Sequence, residues 1–220
     1  MRTRITSLFV VALLVLLLGT PAWADLLYDN GPEKGSIQAW VITAGTTYQI
    51  SDSFTLSSSS ILTAIQVGLW LNSEDLPLTV DWSIGTDHFL SDIGYGTDAP
   101  LTNVPNPPRN FTYESTFSLT ETLDAGTYWL TLQNAETPRT IAGSTRPALV
   151  AWDQNNGPSQ AWSNIVGDLS VYTPPGSNNV GGSESFQIYG TAVPEPSTML
   201  LLGSGLIGLA GYGRKKFFKK

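Results

Sequence analysis

Two tryptophans, Trp152 and Trp162, bracket the polar loop Asp153-Gln154-Asn155-Asn156-Gly157-Pro158-Ser159-Gln160. Indole rings offer flat apolar faces on which a sugar ring can stack, and Asp, Asn and Gln side chains can hydrogen-bond its hydroxyls. Trp152, Asp153, Asn155, Asn156 and Trp162 are therefore candidate carbohydrate contacts. The same loop echoes an earlier one. Asp29-Asn30-Gly31-Pro32, followed by Gln38-Ala39-Trp40, returns as Asn155-Asn156-Gly157-Pro158, followed by Gln160-Ala161-Trp162. Gly accepts positive φ and Pro fixes its own, so turn-making alone accounts for the echo. If instead a first and a late strand meet and their turns converge, Asp29, Asn30, Asp153 and Asn156 bring oxygen ligands to one calcium ion. No twelve-residue calcium loop accompanies them. The expectation is a chain with no obligatory cofactor and calcium as the one candidate.

Catalysis has little to work with. The sole histidine, His88 in Gly85-Thr86-Asp87-His88-Phe89, has no glycine-serine-glycine nucleophile elbow beside it, and one histidine without any cysteine cannot build a zinc site. Carboxylate-only glycoside hydrolysis needs two acids across a cleft. Glu33, Glu114, Glu121, Glu136 and Glu184 are numerous enough to supply a pair, but no motif singles one out. No catalytic residue is assigned, and the chain is expected not to be an enzyme. A ligand site, if present, is expected around Trp152 to Trp162 rather than around His88. Gly203-Ser204-Gly205-Leu206-Ile207-Gly208 fits a dinucleotide fingerprint by letter, yet it sits in an apolar segment with no βαβ unit around it. Asn110-Phe111-Thr112 matches a glycosylation sequon and is given no role.

The elements that must position these residues read as all-β. Short apolar or alternating runs rich in Val, Ile, Thr, Tyr and Trp are punctuated by Gly, Pro, Asn, Asp and Ser. Candidate strands are Ile37 to Val41, Tyr48 to Leu56, Leu62 to Leu71, Thr79 to Ile84, Phe111 to Leu119, Gly126 to Gln133, Ala148 to Trp152, Leu169 to Tyr172 and Glu184 to Tyr189. Alternation assigns faces: Tyr128, Leu130 and Leu132 share one side of their strand, and Ile50, Phe54 and Leu56 share a side on which Asp52 is the odd polar residue. With linkers such as Asn103 to Asn110, half-buried strands of this kind predict two packed antiparallel sheets, a jelly-roll-like β-sandwich over residues 25–192. Trp70 and Trp82, in strongly apolar contexts, read as core, and four of the six tryptophans past residue 24 are expected to be buried.

Charge narrows the partners. Between Asp25 and Glu195 only Lys34, Arg109, Arg139 and Arg146 are basic, against all 18 acids of the chain. Such a surface repels phosphate backbones, so nucleic acid is not expected as a partner. It suits divalent cations and neutral or cationic polymers. The chain has no cysteine, so noncovalent packing must hold the domain together.

Both termini read as traffic signals. Met1-Arg2-Thr3-Arg4 is basic, Leu8 to Leu18 is uncharged and apolar, and Ala22-Trp23-Ala24 offers the small residues of a signal-peptidase site, so residues 1–24 read as a cleaved signal peptide with Asp25 as the new N-terminus. At the other end, Pro194-Glu195-Pro196 precedes an apolar stretch, 199–213, which is closed by the basic run 214–220. As a helix the stretch measures roughly 22 Å, enough to span a bilayer of about 30 Å with snorkelling or thinning, and the positive-inside rule leaves everything before Pro194 outside. This tripartite tail, residues 193–220, resembles the C-terminal sorting signal of PEP-CTERM proteins, exported bacterial proteins handled by an exosortase.

Ser51-Asp52-Ser53-Phe54-Thr55-Leu56, Gly68-Leu69-Trp70-Leu71, Val80-Asp81-Trp82-Ser83-Ile84-Gly85, Ala125-Gly126-Thr127-Tyr128-Trp129-Leu130 and Ser185-Phe186-Gln187-Ile188-Tyr189-Gly190 are similar to phrases in exported PEP-CTERM proteins with sandwich-like ectodomains. The resemblance implies signal peptidase and an exosortase-type enzyme as processing partners. It also implies a membrane-tethered precursor acting through Pro194, Glu195 and Pro196, and delivery to the cell surface or extracellular matrix. A structural or adhesive role in an exopolysaccharide or biofilm envelope is implied too; the rival expectation is a carbohydrate-binding module with a discrete sugar site.

Overall fold

A computed structural model describes residues 24–31, 39–71, 75–105, 111–138, 148–165, 182–194 and 202–207. Thirteen strands make up almost all of their regular structure: β1 (Asp25–Asp29), β2 (Ala39–Val41), β3 (Tyr48–Leu56), β4 (Ser60–Leu71), β5 (Thr79–Gly85), β6 (Gly94–Pro100), β7 (Thr102–Pro105), β8 (Thr112–Leu123), β9 (Gly126–Glu136), β10 (Val150–Asn155), β11 (Trp162–Ile165), β12 (Ser183–Glu184) and β13 (Phe186–Ala192). The long strands follow the alternating runs of the sequence, β3 to the residue. β1, β6, β7 and β11 had no counterpart among the predicted strands, and Asn103, expected in a linker, lies in β7. The expected strand Leu169 to Tyr172 falls outside the described residues.

The strands form two antiparallel sheets. In the eight-stranded one, β1, β13, β4, β8 and β7 lie side by side, and β10 pairs with β4 and carries β2 and β12. β13 and β10 share one edge of β4: β13 covers Ser60 to Val67, and β10 covers Leu69 to Leu71. The second sheet runs β11-β3-β9-β5-β6.

The inner faces close on one core. On β4, Ile65, Val67, Leu69 and Leu71 point inward, meeting Ile50 and Phe54 of β3 and Leu130 and Leu132 of β9, all nearly inaccessible to solvent. Aromatic rings bridge the sheets, with Trp82 stacked on Phe117 at 6.1 Å and Phe54 edge-on to Phe186 at 6.4 Å. Along one edge residues 42–44 stitch the sheets together, since Ile42 N donates to Val150 O while Ala135 N donates to Ile42 O.

β13 defines the two ends of the molecule. At its start Asn30 N donates to Phe186 O, and past its finish Val193 N donates to Ser59 O over 2.7 Å. β1 runs antiparallel beside it, so Asp25 pairs with Gly190. The chain thus enters at Asp25 and leaves at Pro194 from the same end. The Asn30 turn sits at the other, roughly 20 Å away along a seven-residue strand.

Candidate functional site

The two echoing turns meet at the far end. β1 stops at Asp29, whose Oδ1 accepts a hydrogen bond from Gly31 N at 2.8 Å; β10 stops at Asn155, whose Oδ1 accepts one from Gly157 N, also at 2.8 Å. Each is an Asx turn, in which the side chain two residues earlier mimics a backbone acceptor. Gly31 has φ +94°, which favours glycine, and a Cβ at Gly157 would overlap the Asn30 carbonyl oxygen and the Ser183 hydroxyl. Asn155 Nδ2 then donates to Asn30 O, joining the turns. Between them lies a cavity of about 270 Å³ lined by Asp29, Asn30, Gly31, Asn155, Asn156, Gly157 and Pro158.

Behind this cavity a largely buried polar cluster lies between the sheets. The Asn30 side chain turns inward, its Nδ2 within 3.0 Å of Asp52 Oδ2, Ser159 Oγ, Ser183 Oγ and Glu184 O, while its Oδ1 accepts from Tyr28 OH and Ser159 Oγ. An amide has only two hydrogens for those four oxygens, so the serine hydroxyls must rotate to share protons around the ring. Asp52 Oδ2 further accepts from Glu184 N and Ser159 Oγ, and its Oδ1 from Ser53 N. Burial pushes the Asp52 carboxyl up to about 6, against the opposing pull of these hydrogen bonds. Glu184 is fully buried. Its Oε1 accepts from Gln154 Nε2 at 3.3 Å, whereas Oε2 has no hydrogen-bond partner. Burial first, and then the charges of Asp52 and Asp153, hold it well above the usual carboxylate range. Tyr28 is pushed up to about 12 by burial and by Asp52.

The calcium set is only partly assembled. Asp29, Asn30 and Asn156 line one cavity, but Asp153 is buried outside that lining. Asp29 Oδ1 is also engaged by Gln187 Nε2. Among the described residues no group of three or more His, Cys, Asp or Glu could hold a metal ion.

The indole pair is corrected. Trp152 has no exposed surface; its Nε1 donates to Ser185 O at 2.9 Å and its ring meets Phe186 edge-on, so it has no face to offer a sugar. Trp162 is half-buried and stacks on His88 with centroids 5.0 Å apart and planes 20° apart. His88 also packs against Trp129 and Phe89 and pairs through Nδ1 with Asp87. The two alternative locations, Trp162 and His88, are therefore one aromatic cluster on the outer face of the five-stranded sheet. Phe89, at φ +63°, holds the turn that folds His88 back, and its N–H donates to Ser51 Oγ. Trp70 reverses the opposite expectation: it faces outward from β4 and is 37% exposed, while Trp82 is buried as predicted.

Among the glutamates considered for hydrolysis, Glu184 is inaccessible, Glu114 accepts from Gln66 on the outside of the eight-stranded sheet, and Glu33 lies outside the described residues. Sequence reasoning did not find Ser159, Ser183 and Glu184 as partners of Asn30. The one signal was Asp52, a carboxylate on the apolar side of an alternating strand.

At the opposite end Val193 and Pro194 leave β13, and residues 202–207 are helical. Among the described residues no helix is long and apolar enough to cross a membrane. Ala24 precedes β1; Ala22, Glu195, Pro196 and, apart from residues 202–207, the rest of the tail lie outside the described residues. Residues 192–215 match the family model of the PEP-CTERM protein-sorting motif. The C-terminal region is a PEP-CTERM sorting signal. Such a motif marks an exported protein sorted by an exosortase-type, membrane-associated enzyme, with a membrane-anchored precursor that goes on to the surface. Among curated proteins, none matches the chain by sequence.

Proposed function

We propose that this exosortase-sorted protein is a structural or adhesive, non-catalytic component of an exopolysaccharide or biofilm-type envelope, its ectodomain a jelly-roll-like sandwich delivered folded. One observation carries the reading: the match to the sorting motif begins at Ala192, the last residue of β13, an interior strand of the eight-stranded sheet, and backbone hydrogen bonding continues to Val193. A tail joined this tightly addresses the domain as a unit, and what reaches the surface is the sandwich itself. Four bases against 18 acids between Asp25 and Glu195 give the ectodomain a strongly acidic balance, which supports solubility and contact with uncharged polymers over binding to anionic ones.

The test is cell fractionation combined with mass spectrometry. Deleting residues 199–220 should leave cleavage before Asp25 intact and release the protein into the medium, and Glu195→Ala should leave the tail unprocessed. Retention of the truncated protein at the surface, or an unchanged mature C-terminus in Glu195→Ala, would refute the sorting role. Co-fractionation of the wild type with matrix polysaccharide tests the envelope role separately.

A further inference from the structure

The outer face of the eight-stranded sheet carries a polar row that neither the sorting signal nor the turn cavity uses. On β4, Gln66, Gly68 and Trp70 alternate with the buried Val67 and Leu69 and so share the outward side. β13 places Gln187 opposite Gln66, and β8 places Glu114 opposite Gly68. Side chains link across the strands: Gln187 Nε2 donates to Asp29 Oδ1, Tyr189 OH to Gln187 Oε1 at 2.6 Å and to Gln66 Oε1 at 3.3 Å, and Gln66 Nε2 to Glu114 Oε2. Gly68, with no side chain, opens a furrow of about 40 Å³ between Glu114, Gln66 and Gln187, and at Gly31 the furrow adjoins the cavity of about 270 Å³.

We propose that this furrow binds a segment of neutral glycan lying across the sheet, with Trp70 as its stacking platform. The row keeps capacity on both sides of the hydrogen bond. Each glutamine has one amide hydrogen beyond those it donates along the row, and Glu114 and Asp29 each have a second carboxylate oxygen. Hydroxyl groups, which donate and accept at once, match that mixture; a purely anionic or purely cationic ligand does not. The carboxylates of Glu114 and Asp29, in a domain with four bases against 18 acids between Asp25 and Glu195, disfavour uronate and phosphate polymers. Trp70, two positions beyond Gly68 on the same side, is 37% exposed and presents apolar ring surface to the C–H face of a sugar. A peptide strand is a poor fit, because β4 and β13 are already paired along both edges there and offer no ladder to extend. The furrow is too small to enclose a ring. It seats one edge of a glycan whose face rests on the sheet.

The proposal gives a ligand to the surface protein of the preceding reading and rests on that reading only for where the glycan is met. Calorimetry on the full chain, held in a polyoxyethylene detergent that carries no sugar, would use hexamers of neutral glucan, mannan and galactan and a hexauronate of equal length. Saturable binding of at least one neutral hexamer is expected, weakened tenfold or more in Trp70→Ala and in the double variant Gln66→Ala with Gln187→Ala. Ser118→Ala, exposed on the same face but away from the furrow, should stay within threefold of wild type. Equal binding by the furrow variants, preference for the hexauronate, or no saturable neutral ligand would overturn the proposal. Fractionation of wild type and Trp70→Ala side by side keeps the two claims apart: normal sorting of both with unchanged glycan affinity in the variant removes the furrow alone, and failure of the wild type to reach the surface removes the surface reading alone.

Discussion

Asn155 Nδ2 donates to the carbonyl oxygen of Asn30 over 2.7 Å, across 125 positions of sequence. That bond joins two Asx turns of the same design, and it lets the first strand and β10 close one end of the sandwich over Asp52 and Glu184.

Asn155→Ala removes this bond and the acceptor for Gly157 N together. Losing a buried hydrogen-bond partner costs about 1–3 kcal/mol. At roughly 2–4 °C per kcal/mol for a domain of this size, the melting temperature should fall by several degrees with the far-ultraviolet circular dichroism unchanged. An unshifted melting curve would mean that the turns do not brace each other.

Stability should increase on mild acidification. Asp52 is pushed from its ordinary 3.8 up to about 6 in the folded protein, so the native state holds this proton more tightly than the unfolded chain does. Its contribution is full below about pH 4 and is lost as pH rises through about 6; a shift of this size corresponds to about 3 kcal/mol. Glu184, raised in the same direction, adds to the trend. Asp87 and Asp92, held below the usual range by hydrogen bonds from His88 and Thr86, oppose it only in stronger acid, where they become protonated. Melting curves from pH 7 to pH 4.5 should move upward; a monotonic decline would show that the Asp52 carboxyl is ionised in the native protein.

Glu184→Gln keeps the shape and removes the charge. The new amide can direct its oxygen to Gln154 and leaves no carboxylate beside Asp52. Thermal stability at pH 7 should rise, and the gain from acidification should shrink. A variant less stable than wild type at pH 7, with the pH trend intact, would show that the carboxyl is needed in its charged form.

The two misjudged tryptophans give a direct contrast. Trp152→Ala empties a fully buried site and strands Ser185 O, and should cost about 3–5 kcal/mol, whereas Trp70→Ala, on an outer face, should cost about 1 kcal/mol or less. Comparable losses by chemical denaturation would contradict the facing of β4 and β10.

Where one face of a strand is polar, its alternation was legible. β3 and β9 were read correctly on that basis, down to Asp52 on the inner side. β10 was not, because Val-Ala-Trp-Asp-Gln-Asn is buried at every position and a strand covered on both faces carries no alternation to read. Trp152 beside Asp153 therefore looked exposed, and Trp70 inside Gly-Leu-Trp-Leu looked buried. β6, Gly-Tyr-Gly-Thr-Asp-Ala-Pro, is written in turn residues and becomes a strand only through pairing with β5. The meeting of the Asn-Gly turns was visible as an echo. The convergence of Ser159, Ser183 and Glu184 on Asn30 was not, since contacts more than 120 residues apart are set by sheet order and leave no local mark.

β13 lies between β1 and β4, yet it is the strand at whose last residue, Ala192, the sorting-motif match begins. During translocation from N- to C-terminus, β4 therefore waits with an unpaired edge, and β1 with no partner, until nearly the whole ectodomain has crossed. The residues that complete the sheet emerge together with the sorting signal. Closure of the sandwich and presentation to the processing enzyme become a single event in time, and a chain truncated before β13 loses its address and its last seam at once.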